Sequence, residues 1–390
     1  MVWHEVKYQP ERTRTYLGSP SIVRLPDRTL LATHDYFGPG SPRTLEGEEG
    51  LTSVYRSEDD GFTWQNVTHI MNVMWGGLFV HNNKVYLLGT SQQYGSIVIH
   101  CSEDGGYTWS HPTDASSGLL FQGGSFHHPP NYHCAPMPVY SQKGRLYRAF
   151  EDCDPLQWGR GFEAAIVSVD EDADLLNAKN WRMSNKLPFD PSWVPESWGQ
   201  LENPGWLEGN VVETLGGELC NILRFNSKPL VGKAALVKIH DDGRHISFDP
   251  SNGFQDFPGG MTKFTIRYDP VSALYLTIVN VTEPDWPDQR NVLSLYRSEN
   301  LLQWHYVKTL MEDDTGLSDD DSIRLTGFQY VDWQFDGDDL IYLVRAAYRG
   351  AIRYHDSNRI LYCVLRNFRD VLLGDSEHPP KSASFALSQE

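Results

Sequence analysis

The fold class this sequence predicts is a closed all-β ring of four-stranded blades, a β-propeller. Three observations predict it. Two segments that start 45 residues apart are near copies: Ser57-Glu58-Asp59-Asp60-Gly61-Phe62-Thr63-Trp64 and Ser102-Glu103-Asp104-Gly105-Gly106-Tyr107-Thr108-Trp109. Both read Ser-x-Asp-x-Gly-x-Thr-Trp, and recurrence at that spacing marks a repeat architecture. Each copy follows an alternating run, Ser53-Val54-Tyr55-Arg56 or Ile97-Val98-Ile99-His100, which places it on the turn of a β-hairpin. Finally, strand pairs of one design recur along the whole chain.

The turn explains its own residue types. An Asp carboxylate there accepts hydrogen bonds from nearby backbone N–H groups. The Gly takes a positive φ without strain. The Trp packs its ring between neighbouring hairpins. On this reading Asp59 and Asp104 are structural, not catalytic.

Six units follow in order, each an inner and an outer strand pair. They are Ser19–Thr33 with Thr52–Val67, Gly76–Gly89 with Gly95–Ser110, and His133–Phe150 with Ala164–Met183. Then come Gly209–Phe225 with Lys233–Phe248, Met261–Asn280 with Asn291–Val307, and Gly327–Ala346 with Arg359–Arg366. The inner pairs break at turn formers such as Pro26-Asp27-Arg28, Asn82-Asn83-Lys84 and Asp336-Gly337-Asp338. Degenerate outer turns also end in Trp, as at Trp181 and Trp304. Radial repetition of four-stranded sheets makes a propeller. The sixth unit lacks a last strand, and Trp3–Tyr8 is expected to supply it. The alternative is seven blades, with one inside residues 185–205. Neither a linker nor a low-complexity segment interrupts the chain, so residues 1–390 read as one domain.

Composition narrows the function. The 390 residues carry a net charge of −18 and are 12% aromatic, with 12 Trp and 19 Tyr. Without a basic patch, nucleic acid is excluded as a partner. A small anionic substrate is not, since a few local Arg or Lys residues suffice for one. Five scattered cysteines, Cys101, Cys134, Cys153, Cys220 and Cys363, lack metal-ligand spacing and read as reduced thiols. The N-terminus has no basic stretch followed by an apolar run. No apolar run approaches the roughly 18 residues of a membrane span. The expected location is therefore cytoplasmic, away from membranes. The Asn-Val-Thr triplets at Asn66 and Asn280 then read as chance matches.

Inner strands of a propeller begin near its axis, where residues of every blade converge. The polar residues near those positions are the candidate site: His34 and Asp35; His127, His128 and His133; Arg148 and Glu151; Glu208 and Asn210; Lys263; Gln329, Asp332 and Arg345; and the His355-Asp356-Ser357-Asn358 stretch. Taken singly, each has a structural reading as a satisfied polar group or ion pair. As a set, converging charges of both signs favour a binding site. The histidine cluster is loop-like in spacing and has no carboxylate partner, so neither metal nor cofactor is expected.

The repeated turn resembles the Asp-box, or BNR repeat, of sialidase-like β-propellers. The segment Ser19-Pro20-Ser21-Ile22-Val23-Arg24-Leu25-Pro26-Asp27-Arg28-Thr29-Leu30-Leu31-Ala32 resembles the first-blade motif of exo-sialidases. There an Arg-Ile-Pro triplet supplies the Arg that grips the substrate carboxylate; this chain has Gly18-Ser19-Pro20 instead. A broader resemblance is to the sialidase-like propellers that include L-rhamnose-α-1,4-glucuronate lyases and α-L-rhamnosidases. It is carried by His34-Asp35-Tyr36-Phe37-Gly38, Tyr132-His133-Cys134-Ala135-Pro136, Trp206-Leu207-Glu208-Gly209-Asn210, Phe257-Pro258-Gly259-Gly260-Met261-Thr262-Lys263-Phe264 and Gly327-Phe328-Gln329-Tyr330-Val331-Asp332-Trp333.

That resemblance implies an enzyme that cleaves a terminal glycosidic bond next to a uronic acid in an oligosaccharide, by β-elimination or by hydrolysis. It implies a catalytic His, carried over to His34 with His133 as rival. Elimination needs a base for the proton on carbon five, a cation for the carboxylate and an acid for the leaving oxygen. His34 or His133 is the candidate base and Tyr132 the acid. Arg148, Lys263 or Arg345 would hold the carboxylate. Asp35, Asp332 and His355 complete the expected contacts. Hydrolysis needs a pair of acid and base groups, for which Glu151 and Glu208 are the carboxylates to test. The alternatives are an exo-sialidase-like glycoside hydrolase and a non-catalytic sugar-binding propeller.

Overall fold

The computed structural model describes residues 2–45, 47–125 and 127–374. Among them, β-strands form six antiparallel sheets, and α-helix is confined to Asp319–Leu325 and Phe368–Leu373. The sheets number six, as expected, although the outer strand of the second is Leu119–Phe121, beyond the expected end at Ser110.

The first blade runs outward from Tyr16–Leu17 and Ser21–Arg24 through Leu30–Phe37 and Leu51–Ser57 to Gln65–Met71. The second is Met74–His81, Lys84–Thr90, Ile97–Ser102 and Leu119–Phe121. The third has a split inner strand, Tyr132–His133 and Tyr140–Gln142, then Arg145–Cys153 and Phe162–Asp170, with Trp181–Met183 and Leu187–Pro188 outermost. The fourth is Gly205–Glu213, Leu219–Asn226 and Lys233–His240, edged by His245–Phe248 and Phe254–Asp256. The fifth is Ile266–Asp269, Leu274–Val279, Val292–Ser298 and His305–Glu312.

Gly327–Asp336, Asp339–Ala347 and Arg359–Leu365 make three strands of the sixth blade. Trp3–Tyr8 supplies the fourth, pairing antiparallel with Arg359–Leu365 from Trp3↔Cys363 to Tyr8↔Arg359. This strand covers the edge of Arg359–Leu365 and ties the first residues described to the last blade, closing the ring. The stretch considered for a seventh blade instead holds the short strand Leu187–Pro188 and two single turns of 3-10 helix. Its aromatic residues lie against the third and fourth blades.

Each blade buries both faces, which is why strands such as Arg145–Cys153 are buried at every position. The core is accordingly divided into slabs between neighbours. Leu276, Leu295, Trp333 and Leu361 pack between the fifth and sixth blades, and Ile22, Leu30, Leu343 and Ile360 between the sixth and first. Polar ties reinforce the closure. Asp332 Oδ2 accepts hydrogen bonds from Ser21 Oγ (2.7 Å) and the Ile22 N–H (2.9 Å), and Ser21 Oγ accepts one from the Leu78 N–H (2.9 Å). One hydroxyl thus links three blades.

The two copies of the repeated turn make the same bonds. Asp59 accepts from the Thr63 N–H (2.9 Å) and hydroxyl (2.6 Å), and Asp104 from those of Thr108 (2.9 and 2.6 Å). The Trp64 and Trp109 indoles each donate to their own glycine carbonyl at 3.0 Å. The turn that ends in Trp304 follows this plan with Asn300 for Asp and Leu301, at φ 68°, for Gly. These turns tuck against the preceding blade: Trp64 packs edge-on to Tyr362, and Gly106 abuts Leu31.

Candidate active site

In three of the six inner strands the ladder is broken near its start by a register shift. The shifts fall between Met74 and Gly77, between Leu207 and Asn210, and between Gln329 and Asp332. Each contains a bulky residue at positive φ: Trp75 (54°), Glu208 (55°) and Tyr330 (53°). Such conformations cost free energy in a side chain of this size, and bulges of this kind re-aim side chains. All three line one cavity of about 230 Å³, together with Asp35, Tyr94, His133, Trp158, Arg345 and His355. A second cavity of about 210 Å³ adjoins it, sharing Trp158, Tyr330 and His355 and adding Arg224, Lys263, Arg290 and Tyr354. The site is therefore a two-lobed cleft with those three shared residues at its waist.

The first lobe carries the groups that can move protons. The Tyr330 hydroxyl donates to Glu208 Oε1 at 2.7 Å, and Arg224 Nη1 donates to Oε2 at 2.8 Å. Burial raises the Glu208 pKa, but Arg224, His133 and Tyr330 outweigh it and hold the carboxyl below its ordinary value. Burial and the Glu208 charge raise the phenol of Tyr330. The phenol is therefore a neutral hydroxyl with a carboxylate positioned to take its proton.

Asp35 is buried and accepts from the Ser19 N–H (2.8 Å) and the Trp75 N–H (2.7 Å). Burial outweighs these bonds and pushes its pKa up to about 6. Residue 18 must be glycine, because a Cβ there would lie 1.5 Å from Asp35 Oδ1. His133 Nδ1 lies 2.9 Å from Oε2 of the fully buried Glu151, whose Oε1 accepts from the Gly209 N–H (3.1 Å). A carboxylate at Nδ1 fixes the proton there and leaves Nε2 as the basic nitrogen. Trp75 and Phe162 flank the imidazole at 4.5 and 4.6 Å between ring centroids.

The cleft also holds buried cations that have no carboxylate hydrogen-bond partner among the described residues. Lys263 Nζ donates to Thr265 Oγ1 (2.8 Å) and the Val331 carbonyl (2.6 Å). Arg290 donates to the carbonyls of Gln289 (2.8 Å) and Met261 (3.3 Å). Arg345 donates to Ser357 Oγ (3.0 Å) and the His355 carbonyl (2.8 Å), its guanidinium 4.5 Å from the Phe37 ring centre and 4.8 Å from that of Tyr330. Burial lowers all three pKa values, Lys263 to about 8 and Arg290 to about 10. Carboxylates lie near them, Asp332 and Glu208 by Lys263 and Asp288 by Arg290, but burial outweighs these charges, and a bound anion would offset the remaining cost. The lobe with Lys263 and Arg290 is thus suited to an anion.

Of the residues expected from sequence, Asp35, His133, Glu208, Lys263, Arg345 and His355 line the cleft. Glu151 stands directly behind His133. His34 does not line it: alternation along Leu30–Phe37 turns it away from Asp35 into the blade, between Tyr36 and Tyr55. There Nδ1 meets the Asp35 carbonyl (2.9 Å) and Nε2 the Tyr55 hydroxyl (3.2 Å). Burial lowers its pKa to about 4. Tyr132, next to His133, likewise faces an apolar slab between blades. Arg148 is buried outside the lining, donating to the carbonyls of Ala135 (2.5 Å) and Ala149 (2.9 Å), and Asp332 is held in the closure of the ring. Among the described residues no cluster of His, Cys, Asp and Glu could hold a metal ion.

Sequence reasoning did not single out Trp75, Trp158, Arg224, Arg290 or Tyr330 as site residues. A faint signal existed: Trp75 and Glu208 are each followed by a glycine, the mark of a bulge in a strand.

No family model and no curated protein sequence matches the chain. Solved structures do. A Penicillium chrysogenum α-L-arabinanase complexed with arabinobiose aligns with a TM-score of 0.58 at 15% identity, over 94% of this chain and 98% of that one. A Fusarium graminearum α-L-arabinofuranosidase in complex with an iminosugar inhibitor gives 0.60 at 13%, over 95% and 99%. A Trypanosoma rangeli sialidase in complex with sialic acid gives 0.58 at 16%, over 95% of this chain and 58% of that one. This chain has the same six-bladed fold as these proteins. No helix among the described residues is long and apolar enough to cross a membrane.

Proposed function

We propose that the cleft belongs to a glycoside hydrolase that cleaves a terminal bond in an oligosaccharide containing a carboxylated sugar, such as a uronic acid. The carrying observation is the Tyr330–Glu208 hydrogen bond of 2.7 Å, in a cavity that Asp35 also lines. Tyr330 Oη attacks the anomeric carbon while Glu208 takes its proton. Asp35 gives its proton to the leaving oxygen, then removes one from the water that releases the sugar from Tyr330. A tyrosine nucleophile is an established variant of retaining glycoside hydrolysis. Lys263, Arg290 and Arg345 provide the charge complement for the carboxylate. Structural neighbours complexed with arabinobiose and sialic acid support a sugar ligand on this fold.

A second reading, β-elimination, is favoured by the His133–Glu151 pair. His133 Nε2 would remove the proton on carbon five of a uronate whose carboxylate rests on the cations. One panel tests both: arabinogalactan oligosaccharides ending in L-rhamnose-α-1,4-glucuronate, other uronic-acid glycosides, and sialosides. Hydrolysis releases the terminal sugar without ultraviolet absorbance. Elimination creates an unsaturated, absorbing uronate. Saturable binding without either product would replace both readings by a sugar-binding propeller.

A further inference from the structure

Trp158 has no place in the chemistry just described, yet it lines both lobes of the cleft. It is 45% exposed, and Trp286 at 42% is nearly as exposed, so exposure by itself is ordinary. What sets Trp158 apart is that its indole lines both lobes at their waist.

The indole is held in place rather than left loose. The loop joining Arg145–Cys153 to Phe162–Asp170 closes on itself through Asp154 N–H to the Gly161 carbonyl (2.9 Å) and Gly161 N–H to the Gln157 carbonyl (2.8 Å). Gln157 Nε2 ties it to Asn203 Oδ1 (3.0 Å). The Arg224 guanidinium lies 5.6 Å from the centre of the ring, and Arg224 is itself held by Glu208. The ring, the arginine, the carboxylate and Tyr330 therefore form one connected series from the rim to the nucleophile.

We infer that Trp158 is the shelf on which the sugar of the leaving group stacks, and that it sets the preference for an oligosaccharide over a glycoside with a small aglycone. This inference rests on the hydrolase reading above. The C–H faces of a pyranose ring are apolar and weakly positive, and the face of an indole is apolar and weakly negative. A shelf fixed relative to Glu208 and Tyr330 orients the departing oxygen before the bond breaks, so that binding energy from a remote ring serves the chemical step.

The test compares each oligosaccharide that is turned over with the methyl glycoside of the same terminal sugar. In Trp158→Ala, kcat/KM for the oligosaccharide falls about tenfold or more, the size of an aromatic contact with its burial. The loss on the methyl glycoside is several-fold smaller. Trp158→Phe recovers most of the oligosaccharide rate, and Trp286→Ala, which removes an exposed Trp outside the cleft lining, matches wild type on both. Equal losses on the two substrates, or none, overturn the inference.

Calorimetry separates this failure from failure of the hydrolase reading. Rhamnosyl-glucuronate and sialyl-lactose oligosaccharides are titrated into Tyr330→Phe with and without Trp158→Ala. Weaker binding in the double variant supports the shelf even where wild type turns nothing over. Equal binding, or none, overturns it.

Discussion

Two aspartates of the first blade show how position sets chemistry. Asp59 sits at the exposed outer turn, where hydrogen bonds from the Thr63 side chain and backbone lower its pKa to about 2. Asp35 sits at the cleft, where burial raises it to about 6 despite two backbone hydrogen bonds. Asp35 lies in one strand of the sheet and Asp59 in the turn that follows its neighbour, yet one is locked as a structural anion and the other titrates near neutrality. The difference teaches that carboxylate identity carries no role by itself. Hydrogen bonding and burial do, and the fold decides both.

The sharpest test of the contrast is Tyr330→Phe, which removes one oxygen from the cleft. Turnover should fall by about a thousandfold or more, as loss of a nucleophile does, with the melting temperature within a few degrees of wild type. Near-normal kcat would remove Tyr330 from the chemistry and shift attention to His133.

Asp35→Asn comes next, with a loss of roughly a hundredfold from removing a general acid. The pH profile adds a sign. A general acid must be protonated, so wild-type rates on glycosides with poor leaving groups should decline as pH rises through about 6. The linked stability runs the same way. The folded pKa lies above the ordinary 3.8, so the contribution is whole below 3.8 and lost as pH rises through about 6. The two-unit rise is worth on the order of 3 kcal/mol. Unfolding titrations of Asp35→Asn against wild type between pH 3 and 7 would show it as a changing difference. A constant difference would contradict the burial argument.

A smaller effect separates the two histidines. His133→Ala should lower kcat/KM about tenfold or more, because the ring lines the cleft. His34→Ala should cost stability through lost packing and one hydrogen bond to the buried Tyr55 hydroxyl, while the folded fraction keeps its rate. The reverse pattern, measured by active-site-normalised kinetics, would show that His34 reaches substrate.

The least effect on rate is expected from Asp59→Ala and Asp104→Ala. Each removes the acceptor of a local turn, at a cost of about 1 kcal/mol per lost bond in denaturant unfolding, with kcat unchanged. For Asp59 the linkage sign is opposite to that of Asp35. Its stabilisation is present above the ordinary 3.8 and disappears as pH falls through about 2. A variant that stays folded but loses activity would place the outer turns in function.

Much of the architecture was legible in the residues because its determinants are local. Turn chemistry at Asp59, Asp104 and Asn300, two-residue alternation along the strands, and the six turns within inner pairs each act over fewer than about ten residues. Even the closing strand Trp3–Tyr8 could be foreseen, since the sixth unit was one strand short of four. The candidate site was legible only in part. Asp35, His133, Glu208, Lys263, Arg345 and His355 reach the cleft from strands and from the loops beside them, but His34, Tyr132, Arg148 and Asp332 lie in the same stretches and face elsewhere.

The sequence by itself determined that this chain would close into blades, which turns would be structural, and that polar groups of both signs would gather near the axis. Only the tertiary structure decided which of those groups meet. Glu208 and Tyr330 are 122 residues apart and touch because bulges in two different blades aim them into one cavity. Asp332 and Ser21 are 311 apart and bond because the ring closes between them. The physical reason is that a one-residue shift of register reverses which face a side chain takes. The glycines after Trp75 and Glu208 mark where two such shifts fall, but not which residues of other blades they bring together.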